Sequence, residues 1–390
     1  MVELKKYYNN RNVLLFIAAI VNFPAGSAAI WSIFQPYAMK YFGIDIGIAN
    51  MPFSVYMAMF VVGNIFAGYL QTKFSPALCI YLFSGIMCLG FLLTGFVPAY
   101  YPAFTLLTYG VLSGLGSGAS YNVVLSTIIK WFGDKKGFAS GIVVCAVGMN
   151  GFIMSPICNK LLLVWDFSKA MIIVAIIYAV VIGLGAWIIH LPDSKKNIRN
   201  DFDISLMNNC KPREMIKKKE FYFISGAMAL GMAAYFTISP MTKTLGMQRG
   251  LSETEAVIII MIIAISNCFG RLISTLVSDR IGCKKVLIAL YLISTVSSFT
   301  LLNATNIIYM ICVSFIAFCY GGFFGVFPIV SIEKFGNKYS GLNYGIIMIG
   351  YGIVSLICPY IVTIGVTFAL FFATISCIIG AILIHRTLNK

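Results

Sequence analysis

The sequence predicts an all-α membrane protein whose twelve spanning helices form two pseudo-symmetric six-helix bundles. Three observations predict it. Hydrophobic residues make up 60% of the 390 and charged ones only 11%, with a mean hydropathy of +0.92, a composition far from that of soluble domains. Apolar stretches of about 20 residues, the length of a bilayer-crossing helix, recur along almost the whole chain. The third observation is a repeat: Phe132, Gly133, Lys135 and Pro156 recur as Phe335, Gly336, Lys338 and Pro359 at a constant offset of 203, and Gly118 recurs as Gly321.

The first bundle is expected over 1–190, with spans near 13–38, 49–71, 76–97, 102–129, 138–163 and 170–190. Lys5, Lys6 and Arg11 before an apolar run give the first span the look of a secretory leader. The run stays apolar through Trp31, Ile33 and Phe34, and its removal would break the repeat, so it is read as a span. The fourth span carries Gly114, Gly116 and Gly118, whose spacing strips side chains from a helix face and lets backbones approach. Residues 191–220 hold eight Lys and Arg and five Asp and Glu, and are read as a cytoplasmic linker. The second bundle is expected over 221–390, with spans near 221–242, 254–277, 285–303, 307–332, 341–364 and 366–386.

Charge sets the orientation. With the N-terminus inside, 22 of the 28 Lys and Arg residues lie in inside segments, five (Lys40, Lys160, Lys169, Lys243, Arg249) lie outside, and Arg271 lies within a span. That bias puts both termini in the cytoplasm. The formal net charge of +15 then reads as topology and as contact with anionic lipid at the cytoplasmic face, with no role for nucleic acid. The eleven cysteines lie almost all within spans and form no CxxC pair, which fits small packing residues.

All 13 Asp and Glu residues fall in loops or at span ends, so Arg271, in the eighth span, is the one charge placed deep. An arginine there costs about 2.5–3.5 kcal/mol on insertion scales and must face a wet cavity or a partner. With no intramembrane carboxylate to pair with, the partner expected is an anionic ligand held through the two-pronged guanidinium fork. A reading in which Arg271 snorkels to the inner headgroups competes, but Arg280 and Lys285 already occupy that interface. Asn267 lies one turn earlier on the same face. Trp31, Tyr121, Tyr320 and Phe324 are the aromatic candidates for lining a small, partly apolar box.

The loop after the eighth span, Val277, Ser278, Asp279, Arg280, Ile281, Gly282, Cys283, Lys284 and Lys285, resembles the loop signature of the major facilitator superfamily. The equivalent first-half stretch, Gly68 to Pro76, has lost the acid and the second glycine, so no ionic latch is expected there. GLGSGASY, including Tyr121, followed by Lys130, Trp131, Phe132, Gly133, Asp134, Lys135, Lys136 and Gly137, resembles the oxalate/formate antiporter group and, more distantly, the monocarboxylate transporters, which carry Pro where Gly133 stands. The resemblance implies the major facilitator fold and a gate involving Asp279, Arg280, Gly282, Lys284, Lys130, Asp134 and Lys135. It also implies that Arg271 binds a substrate carboxylate. Proton-coupled monocarboxylate transporters carry Asp at the step of Asn267, so that form of coupling is not expected here. The oxalate transporter of the group has Lys where Tyr351 aligns, and one fixed positive charge in place of two suits a monoanion.

A duplicated six-span unit suits a carrier that rocks two bundles about a midplane site. The expectation is a secondary or facilitative carrier of a small organic monoanion of lactate, pyruvate or formate type. A dicarboxylate exchanger, with Lys160 supplying a second charge, and a non-transporting sensor signalling through 191–220 are the alternatives. No nucleotide-binding loop and no metal-spaced cluster occur, so no enzyme activity, cofactor or metal is expected. A monomer in the plasma (inner) membrane is expected, with an organelle membrane as the other setting.

Overall fold

The computed structural model describes residues 10–191, 209–239 and 242–387. Most of the expected linker, 192–208, lies outside the described residues. The described residues are almost wholly helical and contain no strand. That is what apolar segments must do in hydrocarbon, where each backbone amide and carbonyl has to be satisfied within its own segment.

The elements run α1 (Arg11–Asn22), α2 (Trp31–Phe42), α3 (Ile46–Leu70), α4 (Pro76–Gly95), α5 (Gly114–Trp131), α6 (Lys136–Val164) and α7 (Phe167–Gly185). They continue with α8 (Lys219–Ile238), α9 (Glu253–Ile281), α10 (Cys283–Thr300), α11 (Asn306–Phe335), α12 (Ser340–Ile347), α13 (Ile349–Ile364) and α14 (Val366–Thr387). Eleven helical runs among the described residues are long and apolar enough to cross a membrane. The remaining expected span, 102–129, is helical from Phe104 onward, wound as a π-helix over Leu106–Ser113 before α5. Its polar, glycine-rich face lowers its hydropathy, and that face is buried against neighbours.

Local sequence fixes the helix ends. Asp45 accepts from the Ile48 amide at 2.9 Å and Asp166 from the Lys169 amide at 2.8 Å, each filling an orphan donor of a first turn. Gly282, at φ +89°, ends α9 in a backbone conformation that side chains with a Cβ avoid. Two expected spans are interrupted. A 3₁₀ segment, Phe23–Ile30, separates α1 from α2, and the eleventh span is broken between α12 and α13. The break is satisfied by a side chain: Ser225 Oγ donates to the Ile347 carbonyl at 2.8 Å.

Packing groups the chain into two compact units. Unit 1 comprises Met1–Asp134, Met149–Met207 and Asn337–Ile346, and unit 2 comprises Lys135–Gly148, Asn208–Gly336 and Ile347–Lys390. In unit 1, α3 packs along α5, and α4 packs on α5 and α7. In unit 2, α9 packs along α11, and α8 and α10 both pack on α14. The same glycine contacts serve both. A Cβ on Gly118 would strike the Phe60 backbone and one on Gly63 the Leu115 carbonyl; correspondingly, Gly321 meets the Asn267 carbonyl and Gly270 the Phe318 carbonyl. The α5 and α11 members of these contacts are related by an offset of 203 and the α3 and α9 members by 207, so the repeat read at the ends of the halves extends through their helix pairs.

Candidate functional site

Unit 2 gathers a cation and a set of aromatic rings around it. Arg271 sits about two thirds of the way along α9 and is only 5% exposed. Its Nε–H donates to Asn267 Oδ1 at 2.8 Å, the one-turn partnership that the spacing predicts. One Nη1–H donates to the backbone carbonyl of Val144 on α6 at 2.9 Å. The guanidinium lies over the Phe324 ring, 4.8 Å from its centroid, in cation–π geometry. Among the described residues no carboxylate pairs with Arg271, and no protein group accepts from its Nη2. Gly148, one turn beyond Val144, keeps this space open: a Cβ there would lie 3.5 Å from the Arg271 side chain and 2.9 Å from Cys268 Sγ.

The rings come from three helices. Tyr235 and Phe236 on α8, Tyr320 and Phe324 on α11, and Tyr351 on α13 form one cluster. Tyr320 stacks on Tyr235 with centroids 3.9 Å apart, and the Tyr320 and Tyr351 hydroxyls are 3.3 Å apart. Phe236 stands edge-on to both Tyr320 and Tyr351. Of the expected ligand-contacting residues, the structure thus brings together Arg271, Asn267, Tyr320, Phe324 and Tyr351. Tyr235, Phe236, Gly148 and the Val144 carbonyl were not anticipated. The Tyr235–Phe236 pair carried a usable signal, since the repeat offset of 203 takes Trp31 to Ala234, next to it. A carbonyl acceptor carries none.

Trp31 and Tyr121 belong to unit 1 and sit in separate clusters there. The Trp31 indole N–H donates to the Ala49 carbonyl at 2.9 Å and its ring lies 4.3 Å from Tyr109. Tyr121 is fully buried with its ring 5.5 Å from Phe60.

The residues expected to gate divide in the same way. In unit 2, the Asp279 carboxylate accepts from the Gly137 amide at 2.8 Å and the Phe138 amide at 2.9 Å, so it caps the first turn of α6. Arg280 and Lys135 are exposed and Lys284 is half-buried. In unit 1, Asp134 pairs with Arg11 at 2.9 Å, and Arg11 also covers the Phe132 ring. Lys130, near the end of α5, lines a cavity at the ends of α3 and α5.

Membrane-length helices with a duplicated architecture, and a sheltered cation among aromatic rings, are features of a solute transporter. The chain belongs to the Major Facilitator Superfamily, whose sequence profile matches residues 15–359. It is 25% identical over 335 residues to the oxalate:formate antiporter of Oxalobacter formigenes, covering 81% of this chain and 75% of that one. It is 23% identical over 352 residues to apicoplast pyruvate carrier 1 of Toxoplasma gondii, covering 73% of this chain and 64% of that one. Among solved structures, the Escherichia coli fucose:proton symporter superposes with a TM-score of 0.71 at 14% identity, covering 96% of this chain and 98% of that one, a likeness of fold alone. Members of this family are transporters and not enzymes.

Proposed function

We propose that this transporter carries a small organic monoanion, with Arg271 binding its carboxylate. The observation that carries the proposal is the half-used guanidinium: a buried arginine that spends Nε and one Nη1 hydrogen on neutral protein acceptors and meets no carboxylate among the described residues. A buried cation without a counter-ion is costly, and a ligand carboxylate across the remaining N–H groups supplies the missing charge with fork geometry. Asn267 and Val144 fix the plane of the guanidinium, so the ligand meets a preset acceptor-seeking edge.

The rings set the size and the charge of the ligand. Tyr235, Phe236, Tyr320, Phe324 and Tyr351 offer faces for a short acyl chain, with the tyrosine hydroxyls as neutral polar handles. No second cation stands in this cluster among its described members, which favours one carboxylate over two. The oxalate:formate and pyruvate names of the two relatives agree with carboxylate chemistry. Trp31 and Tyr121 are proposed as contributions of unit 1. Asp279, with Arg280, Gly282, Lys284, Lys130, Asp134 and Lys135, is proposed to govern the cytoplasmic gate, and the chain to work as a monomer in a plasma or inner membrane with basic residues on anionic lipid.

The test is a ligand-protection panel on purified protein. Formate, lactate and pyruvate should raise Tm saturably, oxalate and succinate should do so less at equal concentration, and neutral sugars not at all. Protection by sugars or by no carboxylate would overturn the reading.

A further inference from the structure

The two repeats differ at one place where chemistry is at stake. In unit 2, Asp279 at the end of α9 places its carboxylate on the amides of Gly137 and Phe138, the first turn of α6. The offset of 203 carries Gly137 and Phe138 to Ser340 and Gly341, the first turn of α12. The register fixed by the paired glycines Gly63 and Gly270 carries Asp279 to Thr72, at the end of α3. Unit 1 therefore has the helix start but not the acid that meets it.

In place of the acid there is a cavity of about 230 Å³ bounded by Gln71, Thr72, Lys130, Lys338 and Gly341. Among the described residues its walls bring two ammonium groups and no carboxylate. Gln71 is held by its oxygen, which accepts from Ser126 Oγ at 2.6 Å, while its Nε2 is buried with no hydrogen-bond partner. That amide is a donor without an acceptor, an arrangement folded proteins rarely leave unfilled. Asn122 holds the helix start in place by donating from Nδ2 to the carbonyls of Gly341 and Asn64, both at 2.8 Å. The Cα of Gly68 lies so near the Leu342 backbone that any Cβ would collide with it.

We propose that this cavity binds an oxyanion of phosphate type, whose oxygens take the position that the Asp279 carboxylate fills in the other repeat. Lys130 and Lys338 neutralise it, Gln71 Nε2 donates to it, and the amide end of α12 faces it with the positive end of the helix dipole. The oxyanion ties the end of α3, the end of α5 and the start of α12 together, so unit 1 has an exchangeable counterpart of a contact that is built into unit 2. The phosphate comes from solution or from a lipid headgroup, two sources with the same chemistry.

Thermal unfolding of the purified full chain decides it. In neutral detergent, sodium phosphate titrated against chloride at constant ionic strength should raise Tm saturably. In a second arm without soluble phosphate, nanodiscs of neutral lipid are compared with nanodiscs containing phosphatidic acid. A response to soluble phosphate supports a free-ion site, and a response confined to phosphatidic acid supports a headgroup site. Lys130→Gln and Lys338→Gln should each weaken the response about tenfold or more, as loss of one charge-assisted contact does. Thr72→Asp restores the carboxylate, and should abolish the response while holding Tm at or above the phosphate-free wild type. If a glutamine variant does not fold, Thr72→Asp decides alone. An unresponsive wild type in both arms, or an equal response in wild type and Thr72→Asp, overturns the proposal.

Discussion

Replacing Arg271 by Lys keeps the charge and removes the geometry, which makes it the sharpest test of the proposed site. The guanidinium uses Nε on Asn267, Nη1 on Val144 and its face on Phe324 at the same time, and still presents N–H groups to a ligand. A lysine ends in one nitrogen that cannot satisfy both protein acceptors and a carboxylate fork. Loss of one charge-assisted hydrogen bond is about 1.5–3 kcal/mol, or about tenfold to somewhat over a hundredfold in Kd. Arg271→Gln loses the charge as well, along with a cation–π contact of about 0.5–2 kcal/mol, so its affinity should fall further. Stability should move the other way. Removing a buried cation that lacks a counter-ion leaves the Tm of Arg271→Gln unchanged or raised. The assay is ligand-induced Tm shift and counterflow in proteoliposomes, with insertion checked by size exclusion. Near-normal affinity and flux in correctly folded Arg271→Gln would refute both the anion assignment and the site, and normal behaviour of Arg271→Lys alone would point to a snorkelling role.

Three further outcomes are expected. Asp279→Ala removes both acceptors from the Gly137 and Phe138 amides at a cost of about 0.5–2 kcal/mol, so Tm should fall by a few degrees and transport should change, whereas an unchanged Tm would dismiss the cap as a stabilising contact. Tyr351→Lys adds a second cation beside the ring cluster and should shift protection from monocarboxylates towards oxalate; a specificity ratio equal to wild type would remove Tyr351 from the ligand's surroundings. Counterflow of a labelled monocarboxylate should run without an imposed pH gradient, because among the described residues no carboxylate pairs with Arg271 and the helix acids Asp279 and Glu333 stand in the last turns of α9 and α11, and collapse of exchange without a gradient would show an obligatory proton step.

How far the sequence could be read depended on the kind of interaction. The spans were legible because twenty-residue apolar stretches have one stable form in lipid, and Arg271 because a lone charge in such a stretch must be accounted for. The Asn267 contact followed from helical spacing. The Val144 carbonyl could not be anticipated, since every residue carries one, and Gly148 mattered only once the Arg271 side chain was seen against it. The breaks at Phe23–Ile30 and between α12 and α13 lie in apolar sequence, and a serine of another helix donates to a carbonyl in each, Ser117 to Ala25 at 2.9 Å and Ser225 to Ile347 at 2.8 Å, partners that a local pattern does not announce. The cavity beside Gln71 was half legible: the lost acid in the first-half loop was visible, but the room it leaves was not.

The contact between Gly321 and the Asn267 carbonyl ties the proposed site to an absent methyl group. Asn267 is both the residue whose backbone Gly321 touches and the residue whose side chain steers the guanidinium. A substitution as slight as Gly321→Ala would push the two helices apart, and the displacement would arrive at Asn267 Oδ1 before it reached any ligand. The tolerance of the proposed binding edge would therefore be inherited from the tightness of the helix seam behind it, and selectivity set at that edge would drift through residues that no solute touches.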